Sequence, residues 1–220
     1  LTQFGIALVL VGLLLRQFGR LLFGVSLRAV NLGQRYQHAG VLRIGLTIEG
    51  EVIVKAVPDI GYLHRGTEKL AEVRGYHHCV VLSDRWDYVA SMPNNLVFCL
   101  AAEKLLGVKA PPRADALRVM MCELNRIASH LLFVGTYGID IGAFTPFLYA
   151  FREREMLLDL FEMVCGARLT YNYIRLGGVM VDVTPEWTAK VAEFLEYFKP
   201  KIDEYDQLIS YNPIFMARTQ

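Results

Sequence analysis

The residues with the types and spacing to do chemistry are concentrated in Asp84-Arg85-Trp86-Asp87-Tyr88, where carboxylates, a guanidinium and a phenol fall within one short stretch. A phenol backed by carboxylates can donate a hydrogen bond, and then a proton, to a carbonyl oxygen. A plainer reading of the same residues has the aspartates capping a helix and Tyr88 in its core. Asp140, isolated between Ile139 and Ile141 in a glycine-rich stretch, is a second candidate. It is either an orienting carboxylate or an N-cap or turn aspartate. Glu123, Arg126 and His130 stand at i, i+3 and i+7 and so share a helix face, which reads as a structural ladder rather than a catalytic set. His64 and the pair His77-His78 have no ligand spacing and read as packing or surface histidines. Arg152-Glu153-Arg154-Glu155 reads as a solvated or subunit-facing helix surface.

Composition removes several classes. With a net charge of +1 over 220 residues there is no basic excess for nucleic acid. The 4 cysteines, Cys79, Cys99, Cys122 and Cys165, stand singly in apolar segments without C-x-x-C or H-E-x-x-H, so no metal is expected from this chain alone. They read as buried reduced thiols. A hydrophobic fraction of 54% implies either membrane contact or extensive burial against partner subunits. The apolar run Phe4 to Leu15 is too short to span a bilayer. If Arg16 and Arg20 snorkel, residues 4–22 can reach a membrane interface or cross it, at roughly 2.5–3.5 kcal/mol per central arginine. The alternative is a helix packed on a neighbouring subunit. No acidic residue precedes Glu49, and the early basic residues are arginines, as in organelle transit peptides. The initial Leu is expected to reflect processing, an unusual start or a missing piece.

The elements that must position these residues begin with strands. Val41–Thr47 and Glu51–Val57 are β-branched-rich runs around Glu49-Gly50, which predicts a hairpin. Ser26–Leu32 is predicted as a third strand, with Gly33–Gly40 as a loop. From Thr67, read as an N-cap, the pattern turns helical. A long, largely buried helix is expected up to Gly107, after the Asp84/Asp87 capping arrangement. The next begins at Pro111-Pro112 with an apolar stripe of Val119, Met120, Leu124, Ile127 and Leu131. Gly135–Gly142 is predicted as a break, followed by a helix from Thr145-Pro146 to about Cys165. Gly177-Gly178 marks a loop. Thr184-Pro185-Glu186 opens a last helix, bent at Pro200, with a stripe of Val191, Leu195, Phe198, Ile202 and Leu208. No internal repeat or linker stands out. The expected fold is α+β and mainly α: an apolar N-terminal helix or extension (1–27), a small antiparallel sheet (28–58) and a helical bundle (59–220).

A series of collinear motifs runs through these elements. N-L-G occurs at 31–33, A-G-V-L-R at 39–43, I-G-Y-L-H-R-G-T-E-K-L at 60–70 and D-R-W-D-Y-V at 84–89. A-E-K-L-L-G-V follows at 102–108, P-P-R-A at 111–114, T-Y-G-I-D-I-G-A-F-T-P-F at 136–147, F-R-E-R-E at 151–155, G-A-R at 166–168 and N-Y-I-R-L-G-G-V at 172–179. From about Arg28 onward this closely resembles the forty-nine-kilodalton quinone-site subunit of respiratory complex I, a relative of the nickel–iron hydrogenase large subunit. The resemblance implies a hydrogenase-large-subunit-like fold and a role in NADH:ubiquinone oxidoreduction. Ubiquinone would bind between this chain and a small iron–sulfur partner that holds the terminal 4Fe–4S cluster. It further implies other peripheral-arm subunits as partners and a place at the mitochondrial inner membrane, matrix side, or at the cytoplasmic side of a bacterial plasma membrane. Tyr88 falls on the family's quinone-hydrogen-bonding tyrosine, and Asp140 on the carboxylate that pairs with its quinone-site histidine. Arg65 and Arg85 fall on arginines close to the cluster, where positive charge favours the reduced form.

Some positions depart from the family. Ala39 takes the place of the quinone-site histidine, and His38 is the residue that would substitute if the shortened loop shifts register. Thr170 stands where the family has a histidine tied to redox-linked protonation, which implies a weaker pH dependence of the cluster potential. These changes also fit a non-catalytic structural or assembly subunit. Asn212-Pro213 to Arg218-Thr219 resembles a mid-family segment, so a separate chain carrying the C-terminal half is among the expected partners, and no activity is expected of this part alone. A hydrogenase proper is disfavoured, since nickel needs paired C-x-x-C motifs.

Overall fold

The computed structural model describes residues 24–25, 34–39 and 42–219, with backbone alone for 24–25, 34–39 and Leu42. The expected membrane-contacting segment 4–22 and the predicted strand Ser26–Leu32 lie outside the described residues. Among the described residues, no helix is long and apolar enough to cross a membrane. The chain is mainly α with a small antiparallel sheet, the α+β class expected from the sequence. It divides into two compact units, Leu1–Thr67 and Glu68–Gln220.

The first unit carries β1 (Gly24–Val25), β2 (Gln34–Ala39), β3 (Leu42–Glu49) and β4 (Val52–Asp59), paired antiparallel in that order. The β3–β4 hairpin forms where the β-branched runs predicted it. Gly50, at φ +63°, takes the left-handed turn position that residues with a Cβ adopt only under strain. Glu49 pairs with Val52, and the register slips between Thr47 and Ile48, a bulge that adds twist beside the turn. The predicted loop Gly33–Gly40 instead contains β2, paired in unbroken register from Gln34↔Thr47 to Ala39↔Leu42. Its polar sequence carries no strand signal; the backbone groups of β3 recruit it, because an unpaired ladder is costly. Arg43 bridges to its cross-strand partner Asp59 at 3.2 Å.

The second unit is helical: α1 (Thr67–Val73), α2 (Tyr76–Ser83), α3 (Ser91–Leu106), α4 (Pro112–Ile141), α5 (Thr145–Cys165), α6 (Pro185–Tyr205), a π-helical turn (Asp206–Ser210) and α7 (Pro213–Thr219). A hairpin of β5 (Ile174–Arg175) and β6 (Gly178–Val179) sits between α5 and α6 and packs on α3 and α4. The core joins Met92 and Cys99 of α3, Met121, Leu124 and Leu131 of α4, Leu157 and Phe161 of α5, Tyr173 and Ile174, and Trp187 and Phe194 of α6. The Trp187 indole also donates to the Leu160 carbonyl at 2.8 Å, so its polar edge is satisfied in the interior. Thr184 caps α6 as expected, its Oγ accepting from the Trp187 amide at 3.2 Å.

Three expectations change here. The first helix expected to be largely buried, α3, hides Met92, Asn95, Cys99 and Ala102 but leaves an apolar face exposed, Leu105 to 80%. The buried stripe of α4 is Leu117, Met121, Leu124, Ala128 and Leu131, with Val119 outside it. On α6, Trp187, Val191 and Phe194 are buried while Leu195 and Ile202 face outward.

The predicted break at Gly135–Gly142 is absent, because α4 continues to Ile141 and turns only at Gly142. Gly135 and Gly138 are there for close approach rather than for flexibility. A Cβ at Gly135 would stand 3.2 Å from the Phe147 Cα on α5, and one at Gly138 would stand 3.0 Å from the Ala143 carbonyl oxygen. That segment cannot easily retreat, since the Ala143 amide donates to the Gly138 carbonyl at 2.7 Å. Helix propensity favours Ala over Gly by about 1 kcal/mol. Overpacking costs roughly 1–3 kcal/mol. Gly138→Ala is therefore expected to lower stability, read as a lower urea midpoint with an unchanged slope.

A buried arginine ties three elements of this unit together. Arg118 on α4 meets Glu103 of α3 at 2.5 and 3.2 Å, and donates to the Gly178 carbonyl at 3.1 Å and the Arg175 carbonyl at 2.8 Å. Glu103 Oε1 also accepts from the Gly177 amide at 2.8 Å. The Arg118 hydrogen bond, helped by that amide, holds the Glu103 carboxyl below its ordinary range. A carboxylate with a lowered folded pKa contributes stability above its unfolded pKa of about 4.3, and loses it as pH falls through the folded value. Glu103→Gln leaves the buried Arg118 with only the exposed Asp115, at 3.2 Å, as counter-charge and is expected to cost about 3 kcal/mol near neutrality, the lower end for breaking a buried pair. The deficit should shrink as the parent is acidified, which urea unfolding across a pH series measures.

Candidate functional site

Tyr88 stands in the turn Asp84–Ala90 between α2 and α3. The aspartates do not cap α3 as expected, for Ala90 occupies its N-cap and Asp84 follows α2 as the C-cap. Side chains grip the turn by its backbone from beneath. Ser91 Oγ donates to the carbonyls of Asp84 and Tyr88 at 2.9 and 3.2 Å, and Asn94 donates to Asp87 O at 3.0 Å. Buried Asn125, on α4, donates to Val89 O at 3.1 Å and accepts from the Met92 amide at 3.1 Å. Tyr88 is thus held by its main chain while its side chain stays 56% exposed, which removes the core reading for it among the described residues. A phenol facing outward from a fixed backbone is available as a hydrogen-bond donor.

Asp84 anchors the turn and is fully buried. Its Oδ1 accepts from Asn95 Nδ2 at 2.7 Å and from the Asn172 amide at 3.3 Å, and Ser83 Oγ braces Asn95 at 2.8 Å. Burial raises its pKa against these hydrogen bonds and the charges of Arg85 and Arg175. The Asn172 contact brings in the loop after α5, where Thr170 and Asn172 hold φ of +53° and +48°. Residues with a Cβ keep such values only when their surroundings over-determine them.

The other candidates fall in different places. Arg85 shares the turn, its guanidinium 2.8 Å from the Val81 carbonyl and 4.0 Å from Asp84 Oδ2. Asp140 is exposed on the last turn of α4, within a helix rather than a break or N-cap. Beside it a cavity of about 270 Å³ is bounded by Ile141, Phe144, Pro146, Asn212 and Arg218, with the Arg218 guanidinium bonded to the Ile141 carbonyl. His38 and Ala39 lie in β2, opposite Arg43 and Leu42, and Arg65 is exposed after β4. These three belong to the first unit, whereas Arg85, Tyr88 and Asp140 belong to the second.

Glu123 and Arg126 form the expected ion pair, but on an exposed face, with His130 exposed as well. Glu153 departs from the reading of 152–155 as a solvated or subunit-facing helix surface, while Arg152 and Glu155 keep to it. Glu153 is fully buried and accepts from Tyr197 at 3.0 Å, Tyr205 at 2.6 Å and Arg152 at 2.5 Å, fastening α6 to α5. Cys79 and Cys99 are buried, while Cys122 and Cys165 are partly so. Burial pushes the Cys99 thiol up to about 11 and Cys122 up to about 12, so both stay protonated and unreactive near neutral pH. Among the described residues, no three His, Cys, Asp or Glu side chains converge as a metal site.

Sequence reasoning missed Ser91, Asn95, Asn125 and Asn172. Asn125 carried a usable signal, as an amide inside the apolar stripe between Leu124 and Ala128. A buried amide must find partners.

Residues 140–220 match the family described as respiratory-chain NADH dehydrogenase, 49 Kd subunit. The chain is 48% identical over 195 residues to an NADH-quinone oxidoreductase subunit of Geotalea uraniireducens (strain Rf4), covering 88% of this chain and 50% of that protein. It is 48% identical over 181 residues to the corresponding NADH-quinone oxidoreductase subunit of Thermodesulfovibrio yellowstonii, covering 82% of this chain and 45% of the relative. With the corresponding protein of Bacillus anthracis it shares 49% over 192 residues, 87% of this chain and 52% of the relative. The chain belongs to this family of oxidoreductase subunits. It spans about half the length of the curated relatives it matches.

Asn125→Ala strips the Val89 carbonyl and Met92 amide of their partner. Stranding buried backbone groups costs roughly 1–3 kcal/mol each. The expected result is a lower urea midpoint together with faster amide exchange across residues 84–92.

Proposed function

We propose that this chain is a peripheral-arm subunit of an NADH:quinone oxidoreductase and helps to form the site where ubiquinone is reduced beside a terminal 4Fe–4S cluster held by a small partner subunit. The observation that carries the reading is the exposed Tyr88 side chain on a turn whose backbone is fixed by Ser91, Asn94 and Asn125. Reduction of a quinone to a quinol takes two electrons and two protons. Tyr88 would donate a hydrogen bond to one carbonyl oxygen and then a proton as negative charge builds there. Arg85 would set positive charge beside that turn, and Asp140 would orient the proton-donating network. The names of the relatives support a quinone as the acceptor, and their bacterial sources support assembly at a plasma membrane rather than the mitochondrial one expected first. The other arm subunits are partners on the same reading.

A non-catalytic structural role is the second reading, and Ala39 and Thr170 favour it, since each replaces a family histidine. Tyr88→Phe in the assembled complex separates the two. Removing the hydroxyl is expected to lower kcat/KM for quinone by roughly a hundredfold, the scale of a lost proton donor, with assembly intact. Parental quinone reductase activity would leave the structural reading standing.

A further inference from the structure

Three buried carboxyls stand out among the described residues, Asp84, Glu103 and Glu153, and they are satisfied differently. Glu103 is matched by Arg118 and the Gly177 amide. Glu153 is matched by two tyrosines and Arg152. Asp84 accepts hydrogen bonds through Oδ1 alone. Its Oδ2 is buried with no hydrogen-bond partner, and the nearest cation, Arg85, stands 4.0 Å away. A buried carboxylate with one oxygen unsatisfied is costly, and its retention asks for a role. The groups facing it are Arg85 from its own turn, Arg175 from β5, Cys165 at the end of α5 and Tyr171 in the following loop.

Two candidate-bearing segments meet at this carboxyl. Through Asn95 it fixes the Tyr88 turn to α3, and through the Asn172 amide it fixes the positive-φ loop that contains Thr170. We infer that Asp84 is a positioning residue of the quinone site, its Oδ1 locking the Tyr88 turn to the Thr170 loop and its Oδ2 setting the charge beside Arg85. The inference rests on Tyr88 being the quinone's donor. In the neutral acid, the carbonyl oxygen keeps both hydrogen bonds and the carboxyl offsets none of the Arg85 charge. Loss of the proton places a negative charge next to Arg85 and weakens its field. Because burial raises the pKa, the neutral form persists to higher pH than for an ordinary carboxyl, and the Arg85 field falls as pH rises through that raised value.

The test is steady-state quinone reduction across pH by the assembled oxidoreductase, as parent, Asp84→Asn, Asp84→Ala and Tyr88→Phe. Asp84→Asn keeps the Oδ1 acceptor but cannot ionise, so its rate relative to parent should change several-fold as pH rises, with a parental KM on the acid side. Asp84→Ala loses both bonds and should raise the quinone KM about tenfold at every pH, the scale of two lost hydrogen bonds. If Asp84→Ala does not assemble, Asp84→Asn decides alone. A constant Asp84→Asn rate ratio with parental KM, in a complex where Tyr88→Phe is impaired, overturns the role of Asp84 and leaves that of Tyr88 intact. An unimpaired Tyr88→Phe overturns both.

Discussion

Helix α4 has to bury one face along 30 residues while meeting the polar needs of the segments it packs against. Successive turns of that face do separate work. Arg118 holds the β5–β6 hairpin and α3, Asn125 holds the Tyr88 turn, and Gly135 and Gly138 admit α5. Apolar contact alone would let these neighbours slide. Hydrogen bonds from a buried guanidinium and a buried amide fix their register, because any shift would strand a polar group in the interior.

The Tyr88 turn depends on this arrangement at second hand. Its own sequence has little helix or strand preference, and its order comes from side chains reaching it from α3 and α4. Asp84 adds a link to the loop after α5, so a change in that loop is felt at the turn without direct contact with Tyr88. The cost is a carboxyl with one oxygen unsatisfied. The gain is a phenol presented to solvent on a backbone that has few alternatives.

Surfaces differ between the units. In the first, β4 is exposed at every position from Val52 to Asp59, including Val52, Ile53, Val54 and Val57, and it is an edge strand. In the second, Val97, Leu100, Leu105 and Leu106 give α3 an outward apolar face. Patches of this kind are the ones that subunits of larger assemblies bury.

By itself the sequence determined what local chemistry controls. The β3–β4 hairpin, the Pro112 start of α4, the span Thr145–Cys165 and the Thr184 cap all follow from turn residues, prolines and periodicity acting within a few positions. The family resemblance was legible too, because its motifs are collinear. Tertiary structure decided the rest, through partners far away in the chain. The strand at 34–39 exists because β3 pairs with it. Gly135 and Gly138 read as a break but serve packing against Phe147 and Ala143. Glu153 looked solvated, yet its tyrosines lie 44 and 52 positions away. Asp84 looked like a helix cap and became a bolt between segments 88 positions apart. Local propensity cannot report such contacts, since the free energy that selects them comes from desolvating groups that meet only after the chain has folded.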